Sequence, residues 1–333
     1  MSKFPQIVAD IGGTNARFGL VTDAKPDCGE YIIVQQKNFD CASFDSFEEL
    51  LEAYFLFLGD IKPEHVCVAL AGPVEGDQFK MTNLNWSFSR SGVKAHFKLE
   101  NFEVINDFAA QACSVTHLQP SDLLLVKEGS GNGLSNKAII GPGTGLGVAT
   151  LAHNGSIWQP QAGEGGHANF APSTSQELAL LQALMEEHAH VSLETLLCGK
   201  GLVTIYKALC KIHGQTPESF EPHHISEYGA SNKNDLCRES LSLFCRALGV
   251  AAGNLALTCG AKGGVYLAGG ILPRIKDFLL NSDFCDGFQG KGIMSSFVEN
   301  IPVYLMTHEH PALIGAAAWL EDHAQNSWVY IDS

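Results

Sequence analysis

The chain alternates short apolar runs, glycine turns and stretches of helical periodicity. Ile7 to Ile11 and Ala16 to Val21 read as strands, and Gly12-Gly13-Thr14-Asn15 between them has hairpin chemistry. Across Phe44 to Leu58, Phe47, Leu50, Leu51, Tyr54 and Leu58 recur at the spacing of one helix face. Val66 to Leu70 and Phe102 to Ile105 are further strands. The second runs into Asn106-Asp107, ahead of a helix over Phe108 to Val115. Glu128 to Lys137 is polar and rich in Gly, Ser and Asn, as surface loops are. Ala138 to Ile140, Gly141 to Gly147 and Val148 to Leu151 then repeat the opening order of strand, glycine turn and strand. That repetition suggests two structurally related domains.

Thr174 and Glu177 form a capping-box pattern ahead of a helix over Leu178 to Met185. A long helix is expected over Leu236 to Cys259, stopped by Gly260, and then a strand over Val265 to Ala268. Gly269-Gly270 turns into a helix near Pro273. The last helix, Ala312 to Glu321, carries Gly315, Ala316, Ala317 and Ala318. Small residues permit close backbone contact, so this helix is expected to pack tightly, across the two domains.

Strands alternating with helices give an α/β fold. The 333 residues suggest two domains at ~150 residues each. With 45% hydrophobic and 17% charged residues, the composition excludes a disordered chain. A net charge of −15 repels phosphate backbones, so nucleic acid is excluded as a nonspecific partner. A loop of backbone donors can still hold a small anion. Arg246, Asn254 and Lys262 interrupt the apolar stretch from Leu241 to Leu272, which reads as buried helix and strand with no membrane partner. The ten cysteines include no C-x-x-C pair and follow no apolar leader, so they read as free thiols in the reducing cytoplasm.

Three glycine-rich turns carry the candidate chemistry. In the first, Gly12, Gly13, Thr14 and Asn15, flanked by Ala9, Asp10 and Ile11, suit a phosphate, and Asp10 suits Mg²⁺ directly or through water. The competing reading is a plain hairpin with a capping Asp. The second turn, Gly141-Pro-Gly-Thr-Gly-Leu-Gly147, offers Gly143, Thr144 and Gly145 for the other side of a polyphosphate. The third, Gly263 to Gly270, ends in Gly269 and Gly270, either against a flat nucleoside or in close strand–helix packing. Neither G-x-x-x-x-G-K-[ST] nor a G-x-G-x-x-G after the first strand is present, against a P-loop NTPase and a dinucleotide-binding enzyme.

Asp107 stands where α/β proteins place catalytic groups, and its carboxylate suits a substrate hydroxyl proton, with Asn106 on a neighbouring hydroxyl. Alternatively it caps the following helix. Glu164-Gly-Gly-His167 sets an acid and an imidazole around paired glycines, as vicinal sugar hydroxyls need; otherwise it is a loop histidine with an exposed acid. His188 with His190, and His308 with His310, read as surface histidines.

Asp10-Ile-Gly-Gly-Thr-Asn-Ala-Arg17, Ile105-Asn-Asp-Phe108, Gly143-Thr-Gly-Leu-Gly147, Glu164-Gly-Gly-His167 and Leu267-Ala-Gly-Gly-Ile271 together resemble the bacterial glucokinases of the hexokinase–actin–Hsp70 superfamily. The resemblance covers essentially the whole chain. It implies a two-domain ribonuclease-H-like (actin-like ATPase) fold with an interdomain cleft, residues 1–115 plus 308–333 forming a small domain and 116–307 a large one. It implies ATP with Mg²⁺ as phosphoryl donor, D-glucose as acceptor, and a homodimer. Asp107 would be the base for the 6-hydroxyl, and Asn83, Asn106, Glu164, His167 and Glu194 would bind glucose. Gly12 to Asn15 and Gly143 to Gly145 would hold phosphates, and Gly269-Gly270 the adenosine. Ala109 stands where relatives often have Thr, and Pro142 where they have a small residue; neither removes a catalytic group. A broader hexokinase, a sugar-responsive regulator on the same fold and a scaffold ATPase are the alternatives.

Overall fold

The computed structural model describes residues 4–25, 29–72, 74–81, 84–155 and 157–325. The chain divides into two compact units, Met1–Asp122 with His308–Ser333, and Leu123–Thr307. The division falls after Asp122 where the sequence suggested 115. The turn beyond the helix Asp107–Ser114 still belongs to the first unit, where the His117 ring packs on Tyr31 at 5.1 Å.

In the first unit, β1 (Gln6–Ile11), β2 (Asn15–Lys25) and β3 (Glu30–Asp40) form an antiparallel meander. β4 (His65–Leu70) joins β1 in parallel, a two-stranded ribbon of β5 (Gln78–Lys80) and β6 (Ser87–Ser89) follows in the chain, and β7 (Asn101–Asn106) joins β4 in parallel. The sheet order is β3-β2-β1-β4-β7. Both faces are covered. Ile7, Ala9 and Ile11 point to a core with Phe18, Val68 and the helix Phe47–Leu58. Val8 points to the other face, under the helices Asp107–Ser114 and Pro311–Gln325. Ser46 caps Phe47–Leu58 by accepting from the Glu49 N–H, which leaves Phe44 outside the helix.

The small-residue helix, expected to pack across the two domains, instead finds a close partner within its own unit. A methyl group on Gly315 would run into the Ala110 carbonyl, so the backbones of Pro311–Gln325 and Asp107–Ser114 touch directly.

The second unit contains β8 (Leu123–Lys127), β9 (Lys137–Pro142), β10 (Leu146–His153), β11 (Trp158–Gly163), β12 (Val265–Leu267) and β13 (Val303–Met306), in the order β11-β10-β9-β12-β13-β8. β11, β10 and β9 are antiparallel, and β12 and β13 continue in parallel from β9. The five-strand order and directions of the first unit therefore recur, with β8 added antiparallel at the edge. The helix Asp235–Cys259 is long and apolar enough to cross a membrane, but it forms the axis of this unit's core, packed by Gly199–Ile212, Pro222–Ala230 and Phe284–Gln289. Asn234 caps its start and left-handed Gly260 its end.

Candidate active site

Parallel strands bring the first unit's candidates to one sheet edge. The registers align Asp10 with Ala69 and Ala69 with Ile105; one step further, Ile11, Leu70 and Asn106 align at the strands' carboxyl ends. In open α/β sheets this edge is where ligands bind. Gly12 to Thr14 form the turn beyond β1, closed by the Gly12 N–H donating to the Asn15 carbonyl at 3.0 Å. The Cys41 N–H donates to the Thr14 carbonyl and braces the turn from β3's end. The Gly12 N–H, expected from the sequence to meet a phosphate, is instead spent inside the turn.

Asp10 lies on the same sheet face as Val8, directly across from Arg17 in β2, with Oδ2 3.8 Å from a guanidinium nitrogen. Burial raises the carboxyl pKa, and the Arg17 charge works against that rise. His310 is not the surface residue expected. Its Nδ1 is buried without a partner among the described residues, and burial together with the Arg17 charge lowers its pKa.

β7 ends at Asn106, and Asp107 is the first helical residue. The cap that Asp107 was offered belongs mainly to Asn106, whose Oδ1 accepts from the Phe108 N–H at 2.9 Å and the Ala109 N–H at 3.0 Å. Its Nδ2 donates to the Gly72 carbonyl at 3.0 Å, so both ends of this amide brace backbone. One Asp107 oxygen also accepts from the Phe108 N–H. The carboxylate therefore sits half-buried at the positive end of a short helix, held by a braced junction.

In the second unit, Gly143 and Gly145 sit in the turn from β9 to β10, closed by the Gly143 N–H donating to the Gly145 carbonyl at 2.8 Å. The Gly143 carbonyl accepts from the Gly199 N–H at 2.9 Å, joining the turn to the start of the helix Gly199–Ile212. Glu194 is 48 residues away from Leu146 in sequence, yet its Oε2 accepts from the Leu146 N–H at 2.8 Å. A Cβ on Gly145 would stand 2.5 Å from the same oxygen. Ser192 and Thr195 cap the short helix carrying Glu194.

Glu164 and His167 flank a single turn, Gly165–His167, both exposed and 3.8 Å apart as an ion pair when the ring is charged. The paired glycines lie on β10: a methyl on Gly166 would overlap the Leu146 carbonyl, and one on Gly165 would crowd Val148. Short backbone links join this segment to the one carrying Glu194, with the Leu193 N–H on the Ala168 carbonyl and the Phe170 N–H on the Val191 carbonyl. Glu164, His167, Glu194 and Gly145 thus gather around the start of β10. Gly269 has a φ of +85° and backs onto Pro142, so close packing does explain it, whereas Gly270 faces open space.

A cavity of about 740 Å³ opens beside these turns, lined in part by Gly199 and Ile271, with His223, Ser226, Glu227 and Arg274 as polar groups. Sequence reasoning missed it, because the helix Pro222–Ala230 has no signature beyond a first-turn proline. Asn83 lies outside the described residues. Among the described residues no three His, Cys, Asp or Glu side chains gather as a metal cage. The Asp10 carboxylate, a hard oxygen donor with 25% of its side chain exposed, is of the kind that would hold a Mg²⁺ ion.

A family model described as Glucokinase matches residues 7–323. The chain is 49% identical to a glucokinase of Saccharophagus degradans over 96% of its own length and 99% of that protein's. It superposes on the crystal structure of a glucokinase from an Antarctic psychrotroph with a TM-score of 0.90, at 41% identity, covering 96% of this chain and 99% of that one. A ROK family glucokinase from Streptomyces griseus, solved with glucose and AMPPNP, shares the fold at a TM-score of 0.63 and 18% identity, covering 96% and 100% of the two chains.

Proposed function

This chain belongs to the glucokinase family, and we propose that it transfers the γ-phosphoryl group of ATP to the 6-hydroxyl of D-glucose. The observation that carries the reading is Asp107, a carboxylate at a helix start beyond the carboxyl end of a parallel strand, braced by Asn106 on both sides. Asp107 takes the proton of the 6-hydroxyl as that oxygen bonds to the γ-phosphorus, the bond to the β-phosphate oxygen breaks, and ADP leaves. General-base help of this kind is worth ~10²–10⁴ in rate, and positioning carries much of the rest.

Glu164, His167 and Glu194 present two acids and an imidazole to the sugar hydroxyls. The two glycine turns take the phosphates, and the cavity beside Gly199 and Ile271 takes the nucleoside. The AMPPNP in the Streptomyces griseus protein supports an adenosine triphosphate as donor. Asp10 would hold a Mg²⁺ ion, which would supply charge neutralisation of the phosphates. Water is a competing acceptor, so keeping it from the γ-phosphate while the sugar is bound favours transfer to the 6-hydroxyl. The nine described cysteines are free thiols, which supports a cytoplasmic location.

The test is Asp107→Asn assayed with saturating glucose and ATP, with sugar 6-phosphate measured directly. We expect kcat to fall at least ~10²-fold. A kcat near that of the unaltered enzyme removes Asp107 from this role.

A further inference from the structure

We propose that Asn169 and His190 are positioning residues of the sugar half of the site, a side-chain clamp that registers the turn carrying Glu164 and His167 against the helix carrying Glu194. The inference rests on the kinase reading above and adds two side chains that act through others.

Glu164 and His167 flank the turn Gly165–His167, and Glu194 stands on the helix Leu193–Leu196. The two segments meet first at Leu146, whose N–H donates to Glu194 and whose carbonyl lies against Gly166. They meet again just beyond the turn. The Leu193 N–H donates to the Ala168 carbonyl at 2.8 Å and the Phe170 N–H to the Val191 carbonyl at 2.9 Å, which sets Asn169 opposite Ser192 in an isolated antiparallel bridge. In a pair of this kind the two residues exchange no backbone bond, and their side chains come close. Here Asn169 Oδ1 lies 2.6 Å from His190 Nε2, which donates to it.

That contact is the one side-chain hydrogen bond across the seam among the described residues. Phe170 and Val191 point into the core, whereas Asn169 and His190 are exposed and fill no hole in it. A ladder one bridge long is weak, so a short side-chain bond beside it matters. The tie also reaches the sugar acid. Ser192, opposite Asn169, accepts on its Oγ from the Thr195 N–H at 3.2 Å and so caps the helix that carries Glu194. His190 is a surface histidine with a mechanical task.

The test is calorimetric titration of the whole protein with glucose. A neutral hydrogen bond shifts an equilibrium roughly 2–10-fold, so Asn169→Ala and His190→Ala should each weaken glucose at least ~3-fold. The double variant should lose no more than either single one, because the pair is one bond. His190→Gln, whose amide nitrogen stands near the place of Nε2, should recover most of the affinity. KM for glucose should rise with the loss, while kcat and KM for ATP stay within about twofold. Unchanged glucose affinity in the alanine variants, whatever their Tm, overturns the proposal. So do losses that add in the double variant, or a glutamine variant as weak as the alanine one. The titration needs no phosphoryl transfer, so it reads the clamp even if Asp107→Asn proves fully active. An unaltered protein that binds no glucose would overturn the kinase reading and the clamp together.

Discussion

Gly12→Ala separates a glycine needed by a ligand from one needed by the fold. Its φ lies outside the left-handed region, and a Cβ there would meet only the Asn15 carbonyl oxygen at 3.6 Å, an ordinary contact. Nothing inside the chain demands glycine at this position. Where the backbone tolerates it, Gly→Ala stabilises by ~0.4–1 kcal/mol through the unfolded state. The variant should therefore unfold at an equal or higher urea concentration. Nucleotide binding should move the other way. A phosphate oxygen bonded to backbone approaches to ~2.7–3.2 Å, which leaves no room for a methyl group over the turn. Losing one hydrogen bond to a charged acceptor costs ~1.5–3 kcal/mol, or roughly a tenfold to hundredfold rise in KM for ATP. KM for glucose should not change. The control is Gly269→Ala, whose φ of +85° and contact with Pro142 make it destabilising by backbone strain before any ligand is added. A stable Gly12→Ala with unaltered KM for ATP and unaltered AMPPNP affinity would refute the assignment of this turn to phosphate.

Gly166→Ala should do the reverse on the sugar side. The new methyl overlaps the Leu146 carbonyl, costing ~1–3 kcal/mol of stability and pushing Glu164 and His167 off β10. KM for glucose should rise while KM for ATP holds, and a variant with both constants unaltered would detach this motif from the sugar. Burial lowers the Lys137 amine from 10.5 to about 8. Between about pH 8 and 10.5 the folded chain then holds fewer protons at this site than the unfolded chain, so stability from this group rises with pH. Subtracting the urea stability of Lys137→Met from that of the unaltered protein between pH 7 and 10 should leave that rise; a flat difference would contradict it.

The sequence reads most clearly where a strand is buried on both faces or a helix carries its own cap. β1, β4 and β9 are nearly continuous apolar runs, and Thr174 with Glu177 marks a helix start from two residues alone. β3 and β11 escaped because each is an edge strand with much of its length exposed, so neither shows an apolar run. At the β7 junction both Asn106 and Asp107 are good capping residues, and only the fold decides that the asparagine takes the cap and the aspartate the first helical turn. The approach of Glu194 to Gly145 depends on tertiary packing across some fifty residues, beyond any local pattern. Glycine shows the limit most clearly. Gly166 and Gly269 are explained by the atoms their Cβ would strike, while Gly12 and Gly143 would meet nothing nearer than 3.6 and 4.0 Å. The same letter in adjoining motifs therefore answers to two causes. Gly12 and Gly143 follow the first strand of their unit's repeated five-strand order, one after β1 and one after β9. A duplicated sheet that keeps a glycine at the same place in each copy, without an internal reason in either, is what a phosphate-holding turn in each unit requires.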